Sequence, residues 1–477
     1  MKNYAKFNFM DIQAALSDAK FINFNNEWEA IGISTDTRTI SKNNIFIALE
    51  GENIDGHYYI DEAIKNGATA LIILNKWYND NINNIDKLQN IPLIVVKDTL
   101  NALGKLAFFH RIKYTFPVIA IAGSNGKTST KELISTILSQ KYNVLKTYKN
   151  FNNQIGVPLM MLCFDEKTEI AVIEIGTSLP GEIAILSNML NPDLGLITNI
   201  GKEHLEHLIN LEQVEIEETF LYGKLLKTGG ICFINCDDER LRKYTKILKK
   251  YITYGTNEAK KECNFVEDIN FIGDIIINDD LTTTVNFKID NKEYSAKLNE
   301  IGYAIGLNSI AAIAVCATLG CTGEEIVAGL QNYSSAELQQ GYARMSLQKI
   351  NNFNILNDCY NANPSSMLLS IKTLSMHRKS KKHIAILGDM FELGESAHIE
   401  HINILEKASE LLDEVLIIGE NMLKAKKQIN NNSNKIKYFN NFEEMANYMN
   451  NISNLENTTF LLKGSRGMKM ETILQYL

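Results

Sequence analysis

The feature that constrains the fold most is a glycine-rich loop between an apolar run and an amphipathic helical pattern. The loop reads Gly123-Ser124-Asn125-Gly126-Lys127-Thr128, and the run before it, Pro117–Ala122, has the composition of a buried strand. Glycines let backbone N–H groups approach an anion, and the N-terminus of a following helix adds positive potential. The sequence therefore predicts a phosphate-binding loop, with an ordinary glycine-rich turn as the alternative.

Two side chains of this loop carry specific chemistry. Lys127 has the reach to contact β- and γ-phosphates, and the Thr128 hydroxyl is a suitable ligand for Mg²⁺. The usual phosphate-loop pattern has a glycine at position 121, where this chain has Ile121. We therefore predict a shorter variant of the loop, whose first glycine is Gly123.

The length of the chain predicts several domains. Its 477 residues are too many for one hydrophobic core, because domains usually contain about 100–200 residues. Strand and helix patterns alternate in three stretches, so we predict an α/β protein with domains at residues 1–112, 113–333 and 334–477. The central domain is expected to be of the P-loop ATPase type with a mostly parallel sheet, and the last to be Rossmann-like.

Strand candidates are short apolar runs separated by helical patterns. They are Asn44–Leu49, Thr69–Leu74 and Pro92–Val96 in the first stretch, Glu169–Ile175, Leu194–Ile200 and Gly230–Asn235 in the second, and Asn354–Leu356, His383–Leu387, Glu414–Ile418 and Thr459–Leu462 in the third. Alternation at residues 281–289 indicates a half-exposed strand, and Ile305–Leu319 is predicted to be a buried helix.

Charge and cysteine content exclude some classes of protein. The net charge of −8 argues against a general nucleic-acid binder. We expect neither a signal peptide nor a membrane span, and hence a cytoplasmic location without a membrane partner. The seven cysteines are scattered, and Cys232 and Cys236 are expected to be reduced, buried thiols, with a metal pair as the alternative.

Motifs along the chain resemble the Mur ligase family. The loop at Gly123–Thr128 looks like the family's ATP loop. Further matches follow in order over nearly the whole chain: Asp36-Thr37-Arg38, Asp55-Gly56-His57, Phe151–Pro158, Asp358–Pro364, Leu387-Gly388-Asp389-Met390 with Glu392–Glu395, and Lys463–Gly467. Of these, the Asn361-Ala362-Asn363-Pro364 and Lys463-Gly464-Ser465-Arg466 segments are the most specific.

The resemblance implies an ATP-dependent amide-bond ligase that uses ATP and Mg²⁺. It would join D-alanyl-D-alanine to a UDP-linked muramoyl tripeptide through an acyl phosphate, acting as a monomer on small molecules. Three alternatives stay open at this point: a sister ligase that adds a diamino acid, a folylpolyglutamate-type ligase, and a non-catalytic scaffold with the same fold.

The resemblance also implies roles for individual residues. The catalytic set is Lys127, Glu174, His204 and Arg344, and the metal ligands are Thr128, Glu174, His204 and Glu218. The ATP-binding set is Gly123, Ser124, Asn125, Gly126, Lys127, Thr128, Ser129, Asn308, Arg344 and Asp358. The substrate-binding set is Asp36, Arg38, Asn152, Asn153, Thr177, Asn361, Asn363, Lys463 and Arg466. Without the resemblance, Glu174 would be read as a salt-bridge partner, and the two asparagines 152 and 153 as turn caps.

Three departures from the family pattern concern the nucleotide and metal sites. Ala304 and Ile305 stand where the family's adenine site usually has His-Asn, and Ala343 replaces the glycine before Arg344. Glu218 stands where most members carry a lysine that becomes carbamoylated and helps to hold Mg²⁺. A glutamate offers the same charge and oxygen ligands, so Glu218 is predicted to be a metal ligand. The alternative is a solvated acid on a helix surface.

Overall fold

The computed structural model describes residues 2–51, 54–81, 88, 90–202, 208–262, 269–334, 345–429 and 433–477. Every structural statement below concerns these residues. Among them, no helix has both the length and the apolar composition that crossing a bilayer requires.

The part up to residue 112 is built on a mostly parallel five-stranded sheet of order β2-β7-β6-β5-β4. Only β2 is antiparallel, and β1 forms a separate antiparallel pair with β3. The strands are β1 Lys6–Asn8, β2 Lys20–Ile22, β3 Glu29–Ile31, β4 Ile33–Ser34, β5 Asn44–Ile47, β6 Ala68–Leu74 and β7 Leu93–Val96. The helices are α1 Phe9–Ala15, α2 Ile60–Lys65, α3 Asn75–Asp80 and α4 Thr99–Arg111. The three strands predicted here are confirmed by β5, β6 and β7.

The Asp55-Gly56-His57 motif has a structural role in this sheet. The buried His57 ring bonds through Nδ1 to the Asp55 carboxylate at 2.6 Å, and its Nε2 accepts the Leu74 amide at 3.0 Å. A Cβ on Gly56 would lie 2.8 Å from the Leu49 backbone nitrogen, so only glycine fits there without a shift of the chain.

The middle part of the chain contains both parallel and antiparallel strands. Its strands are β8 Val118–Ala122, β9 Val144–Lys146, β10 Ile170–Glu174, β11 Leu194–Ile197, β12 Ile231–Asn235, β13 Tyr251–Thr256, β14 Phe271–Ile277, β15 Thr282–Ile289 and β16 Lys292–Ile301. Its helices are α5 Lys127–Leu138, α6 Gly156–Met161, α7 Glu182–Leu190, α8 Leu211–Thr228, α9 Glu239–Arg242, α10 Asn257–Glu262, α11 Tyr303–Thr318 and α12 Gly323–Asn332.

Pairing in this part is parallel between β9 and β10 and along β12, β13 and β14. Strands β14, β15 and β16 are antiparallel. In β15, Thr283, Val285 and Phe287 are buried and alternate with more exposed residues, which confirms the half-exposed strand predicted at 281–289. The buried helix predicted at Ile305–Leu319 is confirmed by α11.

The last part has a six-stranded sheet of order β17-β18-β22-β19-β20-β21. Its strands are β17 Ser346–Ile350, β18 Phe353–Asn357, β19 Lys382–Leu387, β20 Glu414–Ile417, β21 Ile436–Tyr438 and β22 Thr458–Lys463, and its helices are α13 Pro364–Ser375, α14 Ala397–Leu411, α15 Glu420–Lys426 and α16 Phe442–Asn450. All pairs are parallel except β17 with β18. The predicted parallel sheet is confirmed, and the antiparallel edge strand is an addition to it.

The chain divides into two compact units. Unit 1 comprises Met1–Ala120, Asn143–Thr177 and Gly181–Leu194, and unit 2 comprises Ile121–Tyr142, Ser178–Pro180 and Gly195–Leu477. Strand β8 gives its first three residues to unit 1 and its last two to unit 2, so the glycine-rich loop that follows belongs to unit 2. The domain limits at residues 112 and 333 stay a prediction.

The two cysteines considered as a metal pair are both buried. Burial raises the pKa of the Cys232 thiol to about 12, so this side chain is a protonated thiol at neutral pH. Cys236 packs in a small apolar cluster with Ala259 and Ile269. Both residues therefore contribute to the hydrophobic core, as expected of reduced thiols.

The core of the last sheet yields a stability prediction with a matched control. Ile386 in β19 is fully buried, whereas Ile399 in α14 is 61% exposed. Ile386→Ala should lower the free energy of unfolding by about 2–5 kcal/mol, because it leaves a cavity. Ile399→Ala should change it by less than about 0.5 kcal/mol. Urea unfolding followed by circular dichroism measures both, and equal losses in the two variants would contradict this packing.

Candidate active site

The glycine-rich loop adopts a conformation that only glycine accommodates at two positions. Gly123 has φ 110° and Gly126 has φ 82°, and α5 begins directly afterwards at Lys127. A Cβ on Gly123 would lie 2.4 Å from the Thr198 hydroxyl, and one on Gly126 would lie 2.5 Å from Asn308 Oδ1. The loop backbone is therefore packed closely against its neighbours at both glycines.

The segment after β11 holds the loop from one side. The Ser124 amide donates to the Asn199 carbonyl at 2.9 Å, and the Asn125 amide donates to Asn199 Oδ1 at 3.1 Å. The Gly201 amide donates to Ser124 Oγ at 2.7 Å, and the Thr198 hydroxyl donates to the Asn125 carbonyl, also at 2.7 Å. Residues 198–201 thus form a supporting layer that the motifs alone did not assign to the site.

Glu218 lies beneath the loop rather than on a helix surface. Its side chain on α8 is completely buried, and its Oε2 accepts the Gly123 amide at 2.7 Å. The alternative of a solvated acid is therefore wrong, because the helix face that carries this residue packs towards the loop. The neighbouring Glu215 is also buried and pairs with Arg240 at 3.0 Å.

The loop lysine is folded back onto the loop. Lys127 Nζ donates to the Gly123 carbonyl and to the Ser124 carbonyl, the second at 3.1 Å. The ammonium is thus held over the space that the loop encloses. A phosphate bound there would replace uncharged carbonyl partners by anionic oxygens.

A cavity of about 380 Å³ in unit 2 brings the loop together with residues from the last sheet. Its lining contains every described residue of the predicted ATP-binding set except Gly123: Ser124, Asn125, Gly126, Lys127, Thr128, Ser129, Asn308 and Asp358. Ile301, Ala304, Ile305 and Leu369 make part of its wall apolar. The larger cavities beside β14 and β15 are not lined by the glycine-rich loop. The 380 Å³ cavity is therefore the candidate nucleotide site.

An ion pair lies in the wall of this cavity. Asp358 Oδ2 accepts hydrogen bonds from Lys463 Nζ and Ser370 Oγ, both at 2.6 Å. Lys463 Nζ also donates to the Asn361 carbonyl at 3.0 Å, and the lysine is only 2% exposed. In this structure the lysine, predicted to bind substrate, orients Asp358 and the loop after β18.

Asn363 joins that loop to the phosphate loop. Its Nδ2 donates to Asn125 Oδ1 at 2.8 Å, while its Oδ1 accepts the Ser366 amide at 2.8 Å and caps α13. The cap is reinforced by Pro364 in the first turn of the helix. The two loops are therefore in direct contact within unit 2.

A second, smaller cavity of about 210 Å³ adjoins the first. Its lining includes Lys202, Asn361, Asn363, Phe391, Ser465 and Arg466. Lys202 pairs with Glu400, and Arg466 pairs with Glu471 at 2.6 Å. The predicted substrate residues Asn361, Asn363 and Arg466 meet here, whereas Lys202 was not predicted.

In unit 1, Glu174 lies at the end of β10 and is 3% exposed. Asn152 Nδ2 donates to its Oε1 at 2.9 Å, whereas its buried Oε2 has no hydrogen-bond partner among the described residues. Asn153 Oδ1 accepts the Gly156 amide at 2.8 Å, so this side chain caps a turn, which was the alternative to the predicted substrate contact. Thr177 donates weakly to Glu182 at 3.4 Å.

Asp36 and Arg38 pair with each other on the surface of unit 1. Arg38 Nη2 donates to Asp36 Oδ2 at 2.7 Å, and Asp36 also caps a short 3₁₀ turn at Thr37–Thr39. Hydrogen bonding from Arg38 holds the pKa of Asp36 below its usual value. With a side chain 84% exposed, Arg38 is accessible to a ligand.

The donor set for a cation is incomplete within the described part of the chain. His204 and Arg344 lie outside the described residues, so the structure does not place these two predictions. In the regions it does describe, no three His, Cys, Asp or Glu side chains converge as a metal centre. Thr128, Glu218 and the unpartnered oxygen of Glu174 nevertheless offer the hard oxygen ligands that Mg²⁺ prefers.

Three family patterns cover most of the chain. The Mur ligase family catalytic domain matches residues 29–111, the Mur ligase middle domain matches residues 121–316, and the Mur ligase glutamate ligase domain matches residues 343–466.

Similar proteins carry one activity in their names. UDP-N-acetylmuramoyl-tripeptide--D-alanyl-D-alanine ligases from Buchnera aphidicola and Bacillus subtilis are 34% and 32% identical to this chain. The match covers 93% and 94% of this chain and 92% and 93% of theirs.

Solved structures agree with these sequence matches. The crystal structure of MurF from Acinetobacter baumannii aligns with a TM-score of 0.79 at 27% identity, over 99% of both chains. The structure of MurF ligase from Thermotoga maritima in complex with ADP aligns with a TM-score of 0.74 at 26% identity, over 93% of this chain and 96% of that one. The chain belongs to the Mur ligase family.

Proposed function

We propose that this chain joins D-alanyl-D-alanine to UDP-N-acetylmuramoyl-tripeptide and converts ATP to ADP and phosphate, a step in the synthesis of peptidoglycan precursors. The observation that carries the proposal is the cavity in which the phosphate loop faces Asp358 and the Asn361–Asn363 segment. The named activity of relatives that match over nearly their whole length supports it. The Asn-Ala-Asn-Pro segment favours this ligase over a sister that adds a diamino acid.

In the first step, a carboxylate oxygen of the tripeptide forms a bond to the γ-phosphorus of ATP. The bond from that phosphorus to the β,γ-bridging oxygen breaks, and ADP leaves. Negative charge spreads over the transferring phosphoryl group, so the work of the protein is to position it and to neutralise charge. Lys127 and the amides at the start of α5 supply that stabilisation, since both lie at the loop that lines the cavity.

In the second step, the free amine of D-alanyl-D-alanine attacks the carbonyl carbon of the acyl phosphate. The amine loses a proton, phosphate leaves with the carboxylate oxygen, and an amide bond forms. The contact between Asn363 and Asn125 brings the loop after β18 against the phosphate loop, so an amine held near Asn361 lies beside the activated carbonyl.

The chain offers oxygen ligands for Mg²⁺, which when bound neutralises charge on the phosphates. We propose Thr128 and Glu218 as ligands, and we propose Glu174 and His204 as further ligands on the family resemblance alone. Arg344 is proposed to reach the γ-phosphate and Asp358 the ribose. Around adenine, Ala304 and Ile305 provide apolar contact in place of polar side chains.

The residues proposed for the UDP-linked substrate lie in unit 1. They are the exposed Arg38 with its partner Asp36, and Asn152, Asn153 and Thr177 around the end of β10. Asn152 already donates to Glu174, so this pair links substrate binding to a proposed metal ligand.

Coupled phosphate release tests the proposed activity. ATP, Mg²⁺ and UDP-N-acetylmuramoyl-tripeptide should give sustained phosphate release only when D-alanyl-D-alanine is added. Free D-alanine or a diamino acid should support far less. Lys127→Ala, in the same assay, should give no turnover while its circular dichroism spectrum is unchanged, because the half-buried Lys127 donates to loop carbonyls and adds little to the hydrophobic core.

The rival functions give different results in this assay. A sister ligase would prefer the diamino acid to the dipeptide. A scaffold would release no phosphate with any amine.

Glu218 should be essential for turnover. A glutamine at this position can still accept the hydrogen bond from the Gly123 amide, so its effect would not come from losing that bond. Glu218→Gln should lower kcat by about a hundredfold, because the variant loses a proposed Mg²⁺ ligand directly behind the first glycine of the phosphate loop. It should also raise the Mg²⁺ concentration needed for half-maximal rate. Added bicarbonate should have no effect on the wild-type rate, because a glutamate needs no carbamoylation.

Glu212→Gln is the matched control, because Glu212 is an exposed acid in the first turn of the same helix. A Glu218→Gln enzyme with the rate and metal response of this control would rule out a role for Glu218 in the reaction.

A further inference from the structure

The smaller cavity, of about 210 Å³, has no ligand assigned to it by the reaction steps above. It shares the wall Asn361-Ala362-Asn363 with the nucleotide cavity, so a ligand bound there lies next to the phosphate loop. Its volume suits a molecule of about the size of a dipeptide. The cavity is therefore placed for the component that attacks the activated carbonyl.

A lysine in the lining of this cavity forms an ion pair with a buried carboxylate. Lys202 Nζ donates to Glu400 on α14, whose side chain is only 6% exposed, while the lysine side chain is 31% exposed. A buried carboxylate strongly favours a charged partner, because an unpaired buried charge is costly. Lysine has three donors, and Glu400 takes one. The pair thus fixes a cation that still has donors for a ligand.

A second cation comes from a separate part of the chain. Arg466 lines the same cavity and pairs with Glu471. Glu392 adds one carboxylate to the lining, and Phe391 and Leu393 add apolar surface. Two ion-paired cations, one further acid and an apolar surface suit a zwitterion with short aliphatic side chains.

We propose that this cavity holds the carboxylate end of the amine substrate, and that Lys202 is the residue that selects for that carboxylate. The inference rests on the proposed ligase function and adds to it a residue outside all the matched motifs. Lys202 is a binding residue, because its ammonium meets the substrate carboxylate directly. Glu400 is a positioning residue that acts through Lys202.

The test compares D-alanyl-D-alanine with D-alanyl-D-alaninamide, which lacks the carboxylate charge. In the wild type, KM for the amide should be about ten- to a hundredfold higher, as expected for one lost charge-assisted hydrogen bond. In Lys202→Met, KM for the dipeptide should rise by that factor with little change in kcat. In the same variant, KM for D-alanyl-D-alaninamide should hardly change, so the variant should lose the preference for the dipeptide with a free carboxylate. KM for ATP should be unchanged.

Lys407→Met is the control. It removes another lysine of an ion pair, this one with Glu410 at 2.9 Å, from the same helix as Glu400. It should retain the full preference for the carboxylate. If Lys202→Met proves unstable because Glu400 loses its partner, Lys202→Gln combined with Glu400→Gln removes both charges and gives the same test.

Calorimetric titration separates this inference from the proposed function. Both compounds are titrated into protein saturated with the UDP-tripeptide and a non-hydrolysable ATP analogue, so no turnover is needed. A wild type that binds the dipeptide without turnover would refute the function but not the cavity. Equal weakening of both compounds in Lys202→Met, or no weakening of either, would overturn the role of Lys202.

Discussion

The hydrogen bond from the Gly123 amide to the buried carboxylate of Glu218 fixes the loop on which the whole site depends. One partner comes from the end of β8 and the other from α8, ninety-five residues later in the chain. A carboxyl group fully removed from solvent needs such donors, and a loop with left-handed glycines needs fixed neighbours. The same bond therefore gives one oxygen of the buried acid a donor and helps to set the shape of the loop.

The loop then determines what packs around it. Thr198–Gly201 supports one side, and Asn363 reaches Asn125 from the loop that follows β18. Behind that loop, the ion pair of Lys463 with Asp358 fixes a carboxylate in the cavity wall. Polar groups from three separate chain segments thus converge on one space, and each is held by a partner within the protein. Such preorganisation is what charge stabilisation of a transferring phosphoryl group requires.

Much of the fold was predictable from sequence, because buried parallel strands are short apolar runs bounded by turn residues. The phosphate loop was predictable as well, since Gly126-Lys127-Thr128 carries its chemistry locally. Strand β13 is mostly buried, but its threonines, tyrosines and glycine interrupt the apolar run, so it was not predicted. Strands β14 and β16 were not predicted either, because mixed exposure weakens the apolar pattern. For the same reason the antiparallel edge strand β17 was missed.

The site was less predictable where a role depends on long-range contacts. Glu218 lies in a run of acids that has the pattern of a solvated helix face, yet its packing buries it. Lys463 was predicted to bind substrate because its segment resembles a family motif. In the structure, its ammonium donates instead to the Asp358 carboxylate and the Asn361 carbonyl. Lys202 carries no motif at all, and only its pairing with the distant Glu400 draws attention to it. These partners are more than 90 residues apart, beyond any local pattern.

The central claim is that the phosphate loop activates a substrate carboxylate as an acyl phosphate, and one isotope measurement tests it directly. The terminal carboxylate of the UDP-linked tripeptide is labelled with ¹⁸O and turned over with ATP and D-alanyl-D-alanine in unlabelled water. Mass spectrometry of the released phosphate should find one ¹⁸O atom per molecule, because the attacking carboxylate oxygen leaves with phosphorus. Phosphate that carries no label would mean that water attacks ATP, and the account of the site as a ligase centre would be wrong.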